Sequence, residues 1–256
     1  MGVTIVTGAS SGIGRSLARR LAAAGEAVAL LARREEALRS LAAEIEAAGG
    51  SALALPCDVT DRAAVHAAVR EVEARLGPVT RLVANAGGGE PTAVDPFDAA
   101  HVAATLELNV VGVANCIEAV LPGMLARREG HLVAMGSLAA VRGLPGAAAY
   151  SAAKAALANL LESLRIDLRG SGVDVTLLAP GFVRTKPGKK KRRPFALELE
   201  DATARMARAV ERRDAVYAFP ASLVAVLALA RLLPRALADR LLAGRGPKPK
   251  APRAGA

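Results

Sequence analysis

Residues 2–14 read Gly-Val-Thr-Ile-Val-Thr-Gly-Ala-Ser-Ser-Gly-Ile-Gly, a short apolar run that passes directly into a glycine-rich turn and then into a helical pattern over 13–24. In an open α/β sheet such glycines let the backbone approach a pyrophosphate, and the helix N-terminus offers free N–H groups and the positive end of its dipole. The spacing is G-x-x-x-G-x-G rather than G-x-G-x-x-G, so the strand before and the helix after carry the inference.

Outward from this turn, further apolar runs lie at 27–31, 52–57, 81–84, 131–135, 173–178 and, more weakly, 215–219. Helical patterns fill the intervals at 35–48, 61–76, 98–127, 150–169 and 198–212. Alternation of this kind predicts βαβ units, and strands apolar on both faces predict a parallel sheet covered by helices on both sides. The expected fold is a doubly wound, Rossmann-type α/β sheet of about seven strands, forming one domain over 1–243. Within it 186–215 is expected to form a substrate loop and 221–243 an apolar C-terminal helix, with a disordered basic tail at 244–256.

Composition narrows the function. With 52% hydrophobic and 23% charged residues among 256, the chain can build a core, and disorder is excluded as its main state. Aromatic residues make up 2%, too few for base-stacking platforms. The formal charge is +10, but seven basic residues fall in 184–193 and four in 245–253, leaving 23 basic against 24 acidic residues elsewhere. A nucleic-acid partner is therefore not expected. Cys57 and Cys116 make no disulfide framework, and His66, His101 and His131 lack ligand spacing, so no metal is expected. The chain opens on MGVTIVTGAS without a leader pattern, and a cytoplasmic protein is expected.

Strand two ends at Ala32-Arg33-Arg34, where an NAD site would usually place an acid for the ribose 2′-hydroxyl. A guanidinium there can bind a 2′-phosphate, which favours NADP(H) over NAD(H); the alternative is two solvated arginines at a helix start. Asp58, after the third strand, either accepts from an adenine amine or caps the next helix. Tyr150 and Lys154 stand at i and i+4 on one helix face. An ammonium beside the phenol is expected to lower the tyrosine pKa from its usual ~10 and make Tyr150 a proton donor and acceptor.

The chain resembles the short-chain dehydrogenase/reductase family over about residues 2–185. The likeness rests on Thr7-Gly8-Ala9-Ser10-Ser11-Gly12-Ile13-Gly14, Cys57-Asp58-Val59-Thr60, Asn85-Ala86-Gly87-Gly88, Asn109, Ser137, Tyr150-Ser151-Ala152-Ala153-Lys154 and Pro180-Gly181 followed by Thr185. It implies that Asn109, Ser137, Tyr150 and Lys154 form the catalytic set. Ser137 would orient a substrate carbonyl and Tyr150 would pass its proton. Lys154 would hold the nicotinamide ribose and tune Tyr150, and Asn109 would anchor a water. The implied cofactor contacts are Thr7, Gly8, Ser10 to Gly14, Arg33, Arg34, Asp58, Val59, Asn85, Ala86, Gly87, Tyr150, Lys154, Pro180, Gly181, Val183 and Thr185. A homodimer or homotetramer is the family expectation.

The C-terminal end departs from the family's β-ketoacyl reductases, which commonly finish on a Val-Asp-Gly-Gly-like segment. Here Asp214-Ala215-Val216-Tyr217-Ala218-Phe219-Pro220 leads into 221–243. Arg128 matches a basic carrier-protein docking position of those reductases, whereas Ser171 stands where a second arginine would be expected. Residues 221–243 are expected either to cover the substrate cleft or touch a membrane surface, or to pack on their own domain or a dimer partner. The basic 189–193 is expected either to attract anionic lipid or an acidic carrier, or to be a solvated loop tip. The leading expectation is an NADPH-dependent reductase of an apolar ketone or ketoacyl substrate. A 3-oxoacyl-thioester reductase and a cofactor-binding regulator without turnover are the alternatives.

Overall fold

The computed structural model describes residues 2–185 and 195–242; the basic 189–193 and the tail from 244 lie outside them. The strands are β1 (Val3–Thr7), β2 (Ala27–Ala32), β3 (Ser51–Pro56), β4 (Val79–Ala84), β5 (Gly130–Met135), β6 (Val173–Pro180), β7 (Val183–Arg184), β8 (Leu197–Glu198) and β9 (Val216–Phe219). The α-helices are α1 (Gly12–Ala23), α2 (Glu35–Ala47), α3 (Arg62–Leu76), α4 (Ala99–Leu106), α5 (Gly112–Arg127), α6 (Ala148–Asp167), α7 (Leu199–Glu211), α8 (Ala221–Leu232) and α9 (Arg235–Leu242). Seven strands form one parallel sheet in the order β3-β2-β1-β4-β5-β6-β9, while β7 and β8 pair separately. The chain therefore leaves β1 in both directions, and the sheet has its switch point between β1 and β4.

Alternating side chains divide the core into two layers. Ile5, Leu82, Leu132 and Val175 face α3, α5 and α6 through Val69, Val120 and Leu157. Val6, Leu30, Val83 and Val133 face α1, α2 and α7 through Leu17, Leu41 and Met206. Both faces being covered explains why the strands read as continuous apolar runs. Both cysteines are buried thiols. The stretch Ala99–Arg127 is long and apolar enough to cross a membrane, but Val113, Cys116, Ile117 and Val120 bury it against the sheet.

The structure corrects two expectations about elements. The helix expected over 98–127 is interrupted by a π-turn at Glu107–Val111, which rotates Asn109 inward. The single helix expected over 221–243 is split into α8 and α9 at Leu233 and Pro234, because a proline lacks the N–H and forces its predecessor into an extended conformation. Within the stretch read as a substrate loop, the helix expected over 198–212 forms as α7 and buries Ala202, Met206, Ala209 and Val210 beside α1.

A buried polar chain crosses the middle of the sheet. Arg81 donates through Nε to His131 Nδ1 at 3.2 Å and through Nη1 to Glu26, which also accepts from Thr4. His131 Nε2 lies 2.8 Å from Thr176 Oγ1, so the ring is neutral with its proton on Nε2. Burial, followed by the Arg81 and Arg213 charges, pushes the His131 pKa down to about 3, against the opposing pull of Asp174. An unfolded histidine titrates near 6.5, so between pH 6.5 and about 3 the unfolded chain binds a proton that the folded chain refuses. Stability is then complete above pH 6.5 and falls with acidification, by up to about 1.4 kcal/mol per pH unit from this residue. His131→Gln is expected to flatten the decline of Tm between pH 6.5 and 4; equal slopes in the two proteins would contradict this.

Candidate active site

The glycine turn after β1 is shaped by what lies against it. Gly8 and Gly12 adopt φ of +65° and +55°, and a Cβ on Gly14 would stand 2.4 Å from Asn85 Nδ2 and 2.5 Å from the Gly8 carbonyl oxygen. Asn85 belongs to the turn after β4, on the other side of the switch point. The two turns are joined by Thr7, whose Oγ1 accepts from the N–H groups of Asn85 at 3.0 Å and Ala86 at 2.9 Å. Asn85 Nδ2 donates back to the Thr7 carbonyl at 2.9 Å. Ser11 precedes α1 in extended conformation without capping the helix by its side chain, and Ile13 packs inward on the core. The turn thus presents backbone beside the first turn of a helix, the chemistry that holds a pyrophosphate.

At the edge of this turn Arg34 Nη2 donates to Ser10 Oγ at 3.0 Å and to Ser11 Oγ at 2.7 Å. Arg33 Nη1 stands 3.8 Å from Asp58 Oδ2, with the arginine side chain largely exposed. Asp58 Oδ1 accepts from Thr60 N at 3.0 Å and Thr60 Oγ1 at 2.9 Å. The backbone bond from Thr60 chiefly holds its carboxyl below the usual range, with help from the Thr60 hydroxyl and Arg33. Asp58 does not cap α3: that cap is Asp61, which accepts from Ala64 N at 3.0 Å. Val59 is buried, and its carbonyl accepts from Asn115 Nδ2 at 2.9 Å.

The reacting end gathers beside the same turns. Ser137 follows β5, and its Oγ accepts from Ala139 N at 3.1 Å, which leaves the hydroxyl hydrogen free to donate. It hydrogen-bonds Tyr150, the first of the two functional residues on α6. Lys154 is 3% exposed, donates through Nζ to the Met135 carbonyl at 2.8 Å, and lies 5.7 Å from the Tyr150 ring centre. Burial pushes its pKa down to about 8. The expected lowering of the Tyr150 pKa is not what this arrangement produces: burial raises it, and only the Ser137 bond opposes the rise. The Lys154 ammonium is aimed at Met135 rather than at the phenol oxygen.

Asn109 ties the site together. Its Nδ2 donates to the carbonyls of Gly88 at 2.7 Å and Thr105 at 2.9 Å, and its Oδ1 accepts from Gly88 N at 3.1 Å. A Cβ on Gly87 would lie 2.7 Å from Asn109 Oδ1 and 3.3 Å from Lys154 Nζ, which puts the β4 turn directly over both. Pro180 ends β6, Gly181 N donates to the Phe219 carbonyl at 2.8 Å, and Val183 pairs with Leu197. Thr185 closes the circle: its Cγ2 lies 3.4 Å from where a Gly12 Cβ would stand. All the residues expected from the sequence thus fall around one rim, at the carboxyl ends of the strands.

Two supporting residues were not expected. Thr92 Oγ1 accepts from Ala149 N at 3.1 Å while its N–H donates to the Gly146 carbonyl at 2.9 Å, capping α6 one residue before Tyr150. Asn115 holds the Val59 turn. Both act across more than fifty residues, and neither leaves a local pattern in the sequence.

Residues 2–194 match the family model described as short chain dehydrogenase. The chain belongs to the short-chain dehydrogenase family. An uncharacterised oxidoreductase of Myxococcus xanthus is 42% identical over 237 residues, covering 92% of this chain and 94% of that one. A 3-oxoacyl-(acyl-carrier-protein) reductase of Staphylococcus aureus is 36% identical over 180 residues, covering 70% and 73%. Among solved structures, an alcohol dehydrogenase from Thermococcus sibiricus complexed with 5-hydroxy-NADP superposes with a TM-score of 0.77 at 27% identity, covering 86% and 96%. The protein is a short-chain dehydrogenase oxidoreductase whose fold binds a nicotinamide cofactor and whose family acts on small molecules. The residues present fit that cofactor: a side chain at Gly8, Gly14 or Gly87 would meet atoms within 3.0 Å, so the turns are cut to admit backbone alone.

Proposed function

We propose that this short-chain dehydrogenase reduces an apolar ketone or ketoacyl group to an alcohol with NADPH, or runs the reverse, with Tyr150 as general acid and base. The observation that carries this reading is the bond from Ser137 to Tyr150 beside the buried Lys154. When bound, the nicotinamide supplies or takes up the hydride. The chain's own residues manage the carbonyl and the proton. Ser137 donates to the carbonyl oxygen, fixed by its acceptor bond from Ala139. Tyr150, held protonated by burial, gives its phenolic proton to the developing alkoxide. Lys154, cationic below about pH 8, would hold the ribose and favour the phenolate that remains. Asn109 positions the β4 turn, and its second Oδ1 lone pair is the place for a relay water.

Leu138 and Leu223 both close on Gly181, where a Cβ would stand 3.4 and 2.7 Å from them, and this lining favours an apolar substrate. The name of the Staphylococcus relative supports a second reading, a 3-oxoacyl-thioester reductase. In the same reading the enzyme works in the cytoplasm as a homodimer or homotetramer.

The NADP(H) preference rests on Arg34, Ser10 and Ser11 gathered beside exposed Arg33, a ready set of donors for a 2′-phosphate. Substituting both arginines, Arg33→Ala with Arg34→Ala, is expected to raise the Kd for NADPH by about 100-fold, or about 3 kcal/mol, while that for NADH moves by less than about threefold. Equal losses for the two cofactors would contradict the assignment.

A further inference from the structure

The helix that follows the last strand crosses the rim on which the site is built. β9 runs parallel to β6 and ends at Phe219, so α8 starts from Ala221 at the carboxyl ends of the strands, beside Pro180 and Gly181. Near its start, Leu223 Cδ2 and Leu138 Cδ1 converge on Gly181, 2.7 and 3.4 Å from where a Cβ would stand, and Leu138 is the residue after Ser137. Near its end, the Ala230 carbonyl accepts from Arg142 Nη1 at 3.0 Å, and Arg142 belongs to the loop after Ser137. From Leu223 to Ala230 the helix rises about 10 Å, which matches the two strand spacings from β9 to β5. Arg142 is thus a positioning residue that holds the far end of α8 over the reacting end.

The inner face of this helix is aliphatic. Leu223, Leu227 and Ala230 stand at i, i+4 and i+7, share one face and are half-buried. No residue of α8 is buried, although the helix is almost wholly apolar, so packing on the protein does not close this row. It carries no polar side chain, and through Leu223 and Leu138 it leads directly to Ser137. A half-covered apolar row beside a polar reaction centre suits a molecule with one polar end and an aliphatic remainder. We infer that the inner row of α8 is the wall along which the aliphatic chain of the carbonyl substrate lies, with Leu223 and Leu227 setting the preference for chain length. The inference rests on the reductase reading, which places the carbonyl at Ser137 and Tyr150.

The straight-chain methyl ketones from 2-butanone to 2-decanone test this by their chain-length dependence, because a loss common to all substrates cancels in the ratio between members. In the parent, kcat/KM with NADPH is expected to rise about fourfold per added methylene until the chain outruns the row. Leu223→Ser with Leu227→Ser is expected to cut the rise to less than about twofold per methylene, since the aliphatic contact is gone. Leu227→Phe, which fills the row, is expected to end the rise at a shorter ketone. Calorimetric titration of the same ketones into the protein saturated with NADP⁺ reads these slopes without turnover. Chain-length-dependent binding that the variants weaken, with no NADPH oxidation, would remove the reductase reading and leave the wall in place. A parent indifferent to chain length, or variants that keep the parent's slope in both measurements, would overturn the inference whether or not the protein turns over.

Discussion

Replacing Tyr150 by Phe is expected to lower kcat for carbonyl reduction by about 10²–10⁴-fold while leaving the Kd for NADPH within about threefold of the parent. The substitution removes one oxygen and keeps the ring beside Gly89, whose Cβ position lies 3.3 Å from Tyr150 Cδ2. What is lost is the only phenol in the site and the partner of Ser137. Ser137 cannot take over, because an alcohol of ordinary acidity is a poor proton donor near neutral pH. Burial keeps Tyr150 protonated at neutral pH, which suits the reductive direction. A steady-state assay with a binding titration alongside separates the two effects, and retained kcat would remove Tyr150 from the chemistry.

The second large effect is expected from Gly14→Ala. A methyl group there would stand within 2.5 Å of both the Gly8 carbonyl oxygen and Asn85 Nδ2. Neither can retreat easily: Asn85 is bonded to Thr7, and Gly8 sits in a left-handed turn. The β1 and β4 turns must separate at the place where the pyrophosphate and ribose would rest. An overpacked site of this kind costs about 1–3 kcal/mol. The Kd for NADPH, read by calorimetry, is expected to rise about 10- to 100-fold. Gly143→Ala, with nothing within 4 Å of its Cβ position, serves as the comparison and is expected to leave the Kd unchanged. Equal affinities in all three proteins would show that the turn does not hold the cofactor.

The sheet was legible because most of its strands are chiefly apolar on both faces, so Val3 to Thr7 or Leu132 to Met135 stand out against the charged helices around them. The order of the site followed too, since every motif falls at the carboxyl end of a strand or in the helical stretch that follows it. What stayed hidden depended on single residues acting at a distance. The π-turn at Asn109 inserts one residue into a helix, and a periodicity of 3.6 does not register it. Thr92 caps α6 from 57 residues away, and Asn115 reaches Val59 from 56 away. The strands β7 and β8 are two residues each, too short to carry a pattern. The sign of the Tyr150 shift was missed for a different reason. The i, i+4 spacing places Lys154 near the ring, but the direction of its Nζ and the depth of burial belong to the tertiary structure.

The central claim, a reductase that uses NADPH and the Tyr150 proton, is tested most directly by following NADPH oxidation with the purified protein. The panel would hold medium- and long-chain ketones and β-ketoacyl thioesters, with NADH in parallel. Turnover that is faster with NADPH than with NADH and greatest with an apolar carbonyl is the predicted result. Tight NADPH binding with no oxidation of any of these substrates would contradict it and shift the protein to a cofactor-binding role.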